Sequence, residues 1–455
     1  MHTATIVLPC REVRGRQNSA ALLKLLVTQR LQLFARFTGW WASYQEAWVE
    51  REKPMLLAQG SSIRIFQPRL EVKERREKGA LPETPARTRF APSPTGYLHL
   101  GSLRTALFNY LIAKATNGQF ILRLEDTDKK RTVADSEQRL YEDLQWAGLQ
   151  WDEGPVVGGP RGPYRQSERT NIYTSEALEL IKSGHGYRCF CSQERLQTIA
   201  EKRRLEGFWT DYDRECFSIS PEDSEARATN GDAHVIRLKT PDMIPPYTDL
   251  IYGKFPGQRI WQSGNYEDPV LIKSDGNPTY HLANVVDDHH MEISHVIRAT
   301  EWLPSTPKHI TLYNAFGWKP PVFAHVGLLQ DSNKRKLSKR AASDTLKMFR
   351  ESGYLPEALI NYLALMGWSH KLTSDFMTMQ DLIHNVRSFV THVDLLTGQF
   401  DLKFTKGDVN VATEKLGYLQ AKYAKLQVAT NGPHLDKMVV AVHRKAALYL
   451  ASNPE

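Results

Sequence analysis

The chain has 455 residues, 41% of them hydrophobic and 24% charged, enough apolar material for two to four domains with a sizeable core. No apolar run approaches the ~18 residues that a membrane helix needs, which excludes a spanning helix and predicts a soluble chain with no membrane partner. The formal net charge of +8 suits a partner that carries phosphates, yet residues 1–85 hold 14 Lys+Arg against 8 Asp+Glu, leaving only +2 for the rest, so bulk charge argues weakly for nucleic acid.

The first 50 residues carry three acids (Glu12, Glu46, Glu50) against six bases, with an apolar stretch around Leu22–Val27. Acid-poor, Arg-bearing N-termini of this sort resemble organellar transit peptides. The Trp40-Trp41 pair and the charged run Glu71–Lys78 are not transit-like, and an upstream start or an unstructured extension are the other readings. From Arg89, the run RFAPSPTGYLHLGSLRTALFNYLIA predicts a Pro/Gly-rich turn ending in His99-Leu100-Gly101-Ser102. A helix follows, with Leu103, Leu107, Tyr110 and Leu111 at helical spacing. A His and a Gly at a helix N-terminus make an anion site, because the orphan N–H groups and the macrodipole favour phosphate. An ordinary loop-to-helix junction has the same pattern.

Next, Phe120, Leu122 and Leu124 alternate with polar neighbours and predict a strand ending in Glu125-Asp126-Thr127-Asp128. Acids at the carboxyl end of a parallel strand face the ligand crevice; Asp126 and Asp128 suit equally well as caps for a helix predicted through Val133–Leu144. Beyond Arg169 the pattern is mixed, with a short strand at His234–Leu238 and turns at Pro245-Pro246 and Pro256-Gly257, and the sheet resumes near Tyr280. His289-His290 beside Asp287-Asp288 has the composition of a metal site, but the bland reading is favoured. The run Lys334-Arg335-Lys336-Leu337-Ser338-Lys339-Arg340 has five cations in seven residues and reads, alone, as a solvated face or a nucleic-acid patch.

Taken together, His99-Leu100-Gly101 and Lys336-Leu337-Ser338-Lys339 resemble the two signature sequences of class I aminoacyl-tRNA synthetases. LRLEDTD at Leu122–Asp128, GPYRQSER at Gly162–Arg169, the block from Tyr280 to His309 and LPEALINYLALMGW at Leu355–Trp368 narrow the resemblance to the bacterial-type glutamyl-tRNA synthetases. It runs from about Arg87 to Trp368 with the blocks in family order.

The resemblance implies an α/β fold: a Rossmann-type catalytic core with an inserted α/β acceptor-binding domain, followed by a truncated helical C-terminal region. The implied organisation is an extension at 1–85, catalytic halves at 86–165 and 276–330, and the insertion at 166–275. A signature-loop and tRNA-stem region at 331–385 and a partial anticodon-binding region at 386–455 complete it. The implied activity is ATP-dependent formation of glutamyl-adenylate, then transfer to the 3′ end of tRNA-Glu. Many bacterial and organellar members also charge tRNA-Gln. Positioning and cationic stabilisation of phosphate charge then matter more than a covalent nucleophile.

By the same resemblance, His99, Gly101, Lys336 and Lys339 are the catalytic set. ATP falls to Pro94, His99, Gly101, Ser102, Glu301, Trp302, Leu329 and Lys339, with Mg²⁺ accompanying the nucleotide. Glutamate falls to Arg89, Phe90, Ala91, Ser93, Glu125, Tyr280, His281, Asn284 and Arg298, where an Arg grips the side-chain carboxylate and an acid pairs with the α-ammonium; without the resemblance, Arg89 or Arg298 reads instead as a structural ion-pair member. Cys189-x-Cys191, Tyr212 and Cys216 resemble the zinc knuckle that some members carry, and three unligated thiols are the alternative. The remaining Cys10 is isolated and no disulfide framework is evident. A bacterial-type enzyme with such a leader fits the mitochondrial matrix, with the cytoplasm as the other reading. The family implies a monomer.

Val386–Gln399 interrupts the resemblance like an insertion, and only 116 residues follow Lys339, so the distal anticodon-reading helices are expected to be missing. That keeps three rivals open: a tRNA-modifying relative that joins glutamate to a queuosine base, an idle tRNA-binding homologue, and a small class I nucleotidylyltransferase, which shares the His-x-Gly turn but has no reason to carry the insertion. The helical stretch Asp344–Trp368 opposes the first, and the intact signature residues oppose the second.

Overall fold

In a computed structural model, the described residues are 85–128, 130–208, 212–259, 266–331, 334–335, 345–367, 374–391, 405–411 and 414–452. The leader, Lys336 and Lys339 therefore lie outside the described residues, as do 392–399 of the expected insertion.

Strand β1 (Arg87–Phe90) leads through the Pro/Ser turn into helix α1 (Leu100–Ala115). This helix is buried on most of its circumference, with Leu103, Leu107, Phe108, Leu111 and Ile112 at 2% exposure or less. Truncating such a fully buried Leu to Ala costs about 2–5 kcal/mol. Its end is closed by Thr116, whose hydroxyl bonds back to the Ile112 and Ala113 carbonyls. At Gly118 the chain passes so close to the Ala86 backbone that a Cβ would overlap the Ala86 carbonyl.

Strand β2 (Gln119–Leu122) is shorter than the alternation suggests. Phe120, Ile121 and Leu122 are all fully buried, because a parallel strand covered on both faces has no solvent side to alternate with. The next helix, α2 (Ser136–Trp146), starts three residues later than expected. Neither Asp126 nor Asp128 caps it: Asp126 accepts from the Ser167 backbone and hydroxyl, and Asp128 pairs with Arg131.

The segment that follows holds α3 (Thr170–Lys182), β3 (Gly186–Cys189), α4 (Gln193–Leu205), α5 (Pro221–Thr229) and β4 (Val235–Leu238). Then come β5 (Met243–Ile244), β6 (Tyr247–Asp249), β7 (Gly253–Phe255), β8 (Gln258–Arg259) and β9 (Val270–Ile272). Antiparallel β3, β4 and β9 form the segment's own sheet. The residues from Tyr280 form helix α6 (Tyr280–His290) rather than a strand, since Leu282, Val285 and Val286 recur at helical spacing; the sheet resumes at β10 (His295–Ala299). Helix α7 (Thr306–Phe316) and β11 (Val322–Val326) complete the central layer.

The main sheet runs β2-β1-β10-β11-β6-β7, parallel except for the β6–β7 hairpin. Two strands of the insertion thus extend the catalytic sheet, with Asp249 registered opposite Phe323. Further on lie β12 (Leu329–Gln330), α8 (Leu346–Glu351), α9 (Pro356–Leu365), α10 (Met379–Thr391), β13 (Val409–Asn410) and α11 (Glu414–Thr430). Residues 424–452 belong to a second compact unit, containing the end of α11 and α12 (Leu435–Ser452), joined by a turn in which Asn431 takes a φ of 49°. Among the described residues no helix is long and apolar enough to cross a membrane.

Candidate active site

The sheet order reverses at β1, with β2 on one side and β10 on the other, and α/β folds bind ligands outside the carboxyl ends of strands at such a reversal. A cavity of about 520 Å³ opens there. Arg89, Phe90, Ala91 and Ser93 line it from the end of β1, Arg298, Glu301 and Trp302 from the end of β10, and Leu329 from β12. His99, Gly101 and Ser102 face it from α1, Tyr280 and Asn284 from α6, and Glu125 from the segment after β2.

Sixteen sequence-chosen nucleotide, glutamate and signature positions fall in the described residues, and fourteen of these line this one cavity. Pro94 and His281 stand behind the wall. The Pro94 carbonyl accepts from the Val133 N–H and the Ser136 hydroxyl, and His281 Nδ1 lies 3.2 Å from His309 Nε2.

At the N-terminus of α1 the backbone amides are not vacant. His99 Nδ1 accepts from the Gly101 and Ser102 N–H groups at 3.1 and 3.3 Å, so the imidazole caps the helix whose amides the sequence reading gave to phosphate. An anion that uses these amides must first displace the ring. Thr345, the first described residue after the Lys-rich signature, pairs antiparallel with His99. Leu329, seven positions before Lys336, lines the cavity.

Behind the β1 end lies a buried ion-pair network. Arg89 grips Asp288 with Nε and Nη2 at 3.0 and 3.3 Å, and Arg123 Nη1 reaches the same carboxylate at 2.6 Å. Arg169 Nε and the Tyr173 hydroxyl converge on Asp287 at 2.6 and 2.9 Å. Arg123 and Asp287 are fully buried. Burial would raise the Asp288 carboxyl, but Arg89 and Arg123 outweigh it and hold it below its ordinary value. Glu125 accepts from Arg123 and Asn284 at 3.2 and 3.4 Å; its burial dominates and raises its carboxyl.

The Asp287-Asp288-His289-His290 run is therefore half an ion-pair hub. His289 stacks on Trp318 at 3.7 Å, and His290 pairs with Glu176 at 2.9 Å.

Arg298 is a different kind of arginine. It is 5% exposed, yet among the described residues no carboxylate lies within ion-pair distance. Its bonds go to His325, His309, the Tyr280 hydroxyl, Thr306 and the Trp302 carbonyl, all of them neutral acceptors. Burial lowers its pKa, as a buried charge without a counter-ion requires. Trp302 covers Tyr280 at a ring distance of 4.3 Å.

Sequence reasoning missed Arg104, which lines the cavity from α1 and donates to the Met366 carbonyl at 3.2 Å and to the Gly327 carbonyl. Burial lowers its pKa to about 10. An Arg on the apolar side of a helix was the available signal.

The thiols of Cys189, Cys191 and Cys216 lie within 4.8 Å of one another, with Cys191 and Cys216 sulfurs 3.5 Å apart. The Tyr212 hydroxyl is 3.3 Å from the Cys189 sulfur. Tetrahedral Zn–S bonds of about 2.3 Å place sulfurs just under 4 Å apart, so the set fits a zinc ion. A hydrogen bond from Cys216, helped by one from Tyr212, holds the Cys189 thiol below its ordinary value, while the same bond raises Cys216.

A model of the class I tRNA synthetases (E and Q), catalytic domain, matches residues 85–397. The chain belongs to this family. It is 48% identical over 298 residues to the glutamate–tRNA ligase of Borrelia duttonii, covering 65% of this chain and 58% of that one. With the mitochondrial glutamate–tRNA ligase of Schizosaccharomyces pombe it shares 46% identity over 360 residues, covering 78% of this chain and 64% of the relative. The solved glutamate–tRNA ligase of Elizabethkingia meningosepticum, in complex with its amino acid, superimposes with a TM-score of 0.65 at 39% identity, covering 75% and 70% of the two chains. The chain thus spans about 58–64% of the length of these curated relatives. Class I synthetases use ATP with Mg²⁺.

Proposed function

We propose that the chain activates L-glutamate with ATP and transfers the glutamyl group to the 3′ end of tRNA-Glu, with tRNA-Gln as a further acceptor to be tested. The observation that carries the reading is Arg298, a buried guanidinium with only neutral partners, at the wall of a cavity that also holds a helix N-terminus. A cation so placed is completed by an anionic side chain.

In this reading Arg298 and Tyr280 hold the side-chain carboxylate, with Arg89 beside them oriented by Asp288. Glu125 and Asn284 receive the α-ammonium, and Ala91 and Ser93 lie along the amino acid backbone. Once His99 swings from its cap, the Gly101 and Ser102 amides and the imidazole meet the phosphates, while Trp302, Leu329 and Glu301 flank the adenosine. Lys336 and Lys339 neutralise the departing pyrophosphate. Mg²⁺ arriving with the nucleotide supplies further charge neutralisation and needs no protein-only cage. The glutamate carboxylate attacks the α-phosphate, pyrophosphate leaves, and the acyl group passes to a terminal ribose hydroxyl. Cys189, Cys191, Cys216 and Tyr212 hold a structural Zn²⁺.

Residues 86–165 and 276–330 act as the catalytic halves, 166–275 as the acceptor-end insertion, 331–385 as the signature-loop and stem-contact region, and 386–455 within the anticodon-binding helices. Mitochondria are the proposed compartment, on the strength of the Schizosaccharomyces pombe relative's name.

ATP–pyrophosphate exchange and [¹⁴C]glutamate acylation, each with and without organellar tRNA, test this. Acylation of tRNA-Glu is expected. Exchange without any acylation would point to the base-modifying relative, and silence in both would refute the reading.

A further inference from the structure

Arg298 is held more elaborately than a substrate contact requires. Its Nε donates to His325 Nε2 at 3.0 Å, its Nη1 to His309 Nδ1 at 3.2 Å and Tyr280 at 3.3 Å, and its Nη2 to Thr306 at 2.9 Å. For these bonds to form, each imidazole must present a lone pair, and the surroundings fix which nitrogen does so.

His325 Nδ1 lies 2.7 Å from Asp249 Oδ2, which holds the proton on Nδ1 and leaves Nε2 as the acceptor. Asp249 is itself fixed: Oδ2 also takes the His325 backbone N–H at 3.1 Å, and Oδ1 takes those of Ile251 and Tyr252 at 2.9 and 2.8 Å. His309 faces His281 Nδ1 with Nε2 at 3.2 Å and keeps Nδ1 for Arg298. His309 and His325 are both fully buried. Burial pushes both rings toward the neutral form, reinforced at His309 by Arg298 and opposed at His325 by the Asp249 bond.

The contrast with Arg89 carries the argument. There the bidentate partner is a carboxylate, Asp288, and the guanidinium is neutralised before any ligand arrives. At Arg298 the same two-sided grip comes from neutral rings, and the acid stands one residue further back. We propose that Asp249, His325 and His309 are positioning residues that hold Arg298 rigid but unneutralised, and through it set the preference for a dicarboxylic amino acid over its side-chain amide. A neutral amide leaves the buried charge uncompensated and turns an NH₂ toward a guanidinium that only donates. The inference rests on the glutamate reading of the site.

Asp249→Asn is the decisive change. Its amide NH₂ must face either the Ile251 and Tyr252 N–H groups or the His325 Nδ1–H. In the second arrangement, moving the ring proton to Nε2, against the Arg298 Nε–H, relieves the clash at Nδ1 but not the one with the His325 backbone N–H. His309→Leu removes an acceptor outright, whereas His309→Asn places a carbonyl oxygen near the Nδ1 position and should restore most of the effect.

The measurement is ATP–pyrophosphate exchange on the full chain with tRNA present, L-glutamate as substrate and L-glutamine as competitor, after thermal melts confirm folding. In Asp249→Asn and His309→Leu the KM for glutamate should rise about 10–100-fold with kcat changed less than about threefold. The glutamate-over-glutamine preference should fall at least about tenfold, and His309→Asn should recover it. Folded variants that keep the wild-type preference overturn the proposal. If Asp249→Asn does not fold, the two His309 variants decide. A wild-type chain that responds to neither amino acid overturns the underlying glutamate reading instead.

Discussion

Replacing Asp288 with Asn removes the charge that Arg89 and Arg123 share while keeping the volume and one acceptor oxygen. The two pairs lie at 3.0 and 2.6 Å, with side-chain exposures of 4% or less. At an effective dielectric of about 20, each pair at a charge separation near 4 Å contributes about 4 kcal/mol of attraction, against a desolvation cost of several kcal/mol per ion. Deleting one partner of such a buried pair therefore costs about 3–5 kcal/mol, because Arg89 loses its carboxylate and Arg123 keeps only Asp287 and Glu125. With an unfolding entropy of about 2.1 cal/mol/K per residue over a domain of roughly 300 residues, this lowers Tm by about 5–8 °C.

Urea unfolding at pH 7, followed by tryptophan fluorescence, measures it, and a double-mutant cycle with Arg123→Met separates the pair from the rest of the network. The double variant should be less destabilised than the sum of the singles by at least about 1.5 kcal/mol. The pH dependence has a definite sign. Asp288 is held below its ordinary value, so its contribution is present above the unfolded-state pKa of about 3.9 and is lost as pH falls below it; wild type and variant should converge in acid. A loss under about 0.5 kcal/mol, or an additive cycle, would refute the reasoning.

His99→Ala removes both the cap of α1 and the proposed phosphate ligand; stability should drop about 1 kcal/mol and exchange activity about 10²–10³-fold, so an active variant would sever the turn from catalysis. Burial of His295 lowers its pKa to about 4, so stability should fall as pH drops from about 6.5 towards 4, by about 3 kcal/mol in all. In His295→Phe, chemical denaturation at pH 7, 5.5 and 4.5 should show that slope reduced by up to one proton, and an unchanged slope would assign it elsewhere. Purified protein should carry about one equivalent of zinc by elemental analysis, lost in Cys216→Ser; a metal-free but fully folded wild type would leave the thiols as plain side chains.

Much of the site was legible because its signals are local. A Pro/Gly turn and apolar residues at helical spacing define the turn-to-helix junction within some 25 residues, and the structure follows them. The end of β2 was less legible, since full burial on both faces erases the alternation that marks a strand. Helix α6 was hidden because its Tyr280 start follows a turn that suits either element.

The sequence raised Arg89 as an ion-pair member, but the partners of the hub could not be read: Arg89, Arg123 and Arg169 meet Asp287 and Asp288 across 118 to 199 positions, and no local pattern encodes such meetings. The sequence also suggested that His99 leaves the helix amides to a ligand, whereas its own ring, two and three positions before them, occupies them. Lys336 and Lys339 remain a sequence argument, anchored by described neighbours on either side.

The loan of β6 and β7 to the main sheet bears on how this chain can be recombined. A chimera that exchanged residues 166–275 wholesale would strip β11 of β6, leaving β10 as its one strand neighbour among the described residues and the Phe323 carbonyl and His325 N–H unpaired, an open edge that invites aggregation. It would also remove Asp249 from His325. A workable graft keeps Tyr247–Phe255 with the host and joins foreign sequence at the β5–β6 and β7–β8 turns, where Pro245-Pro246 and Pro256-Gly257 already break the chain's regular structure.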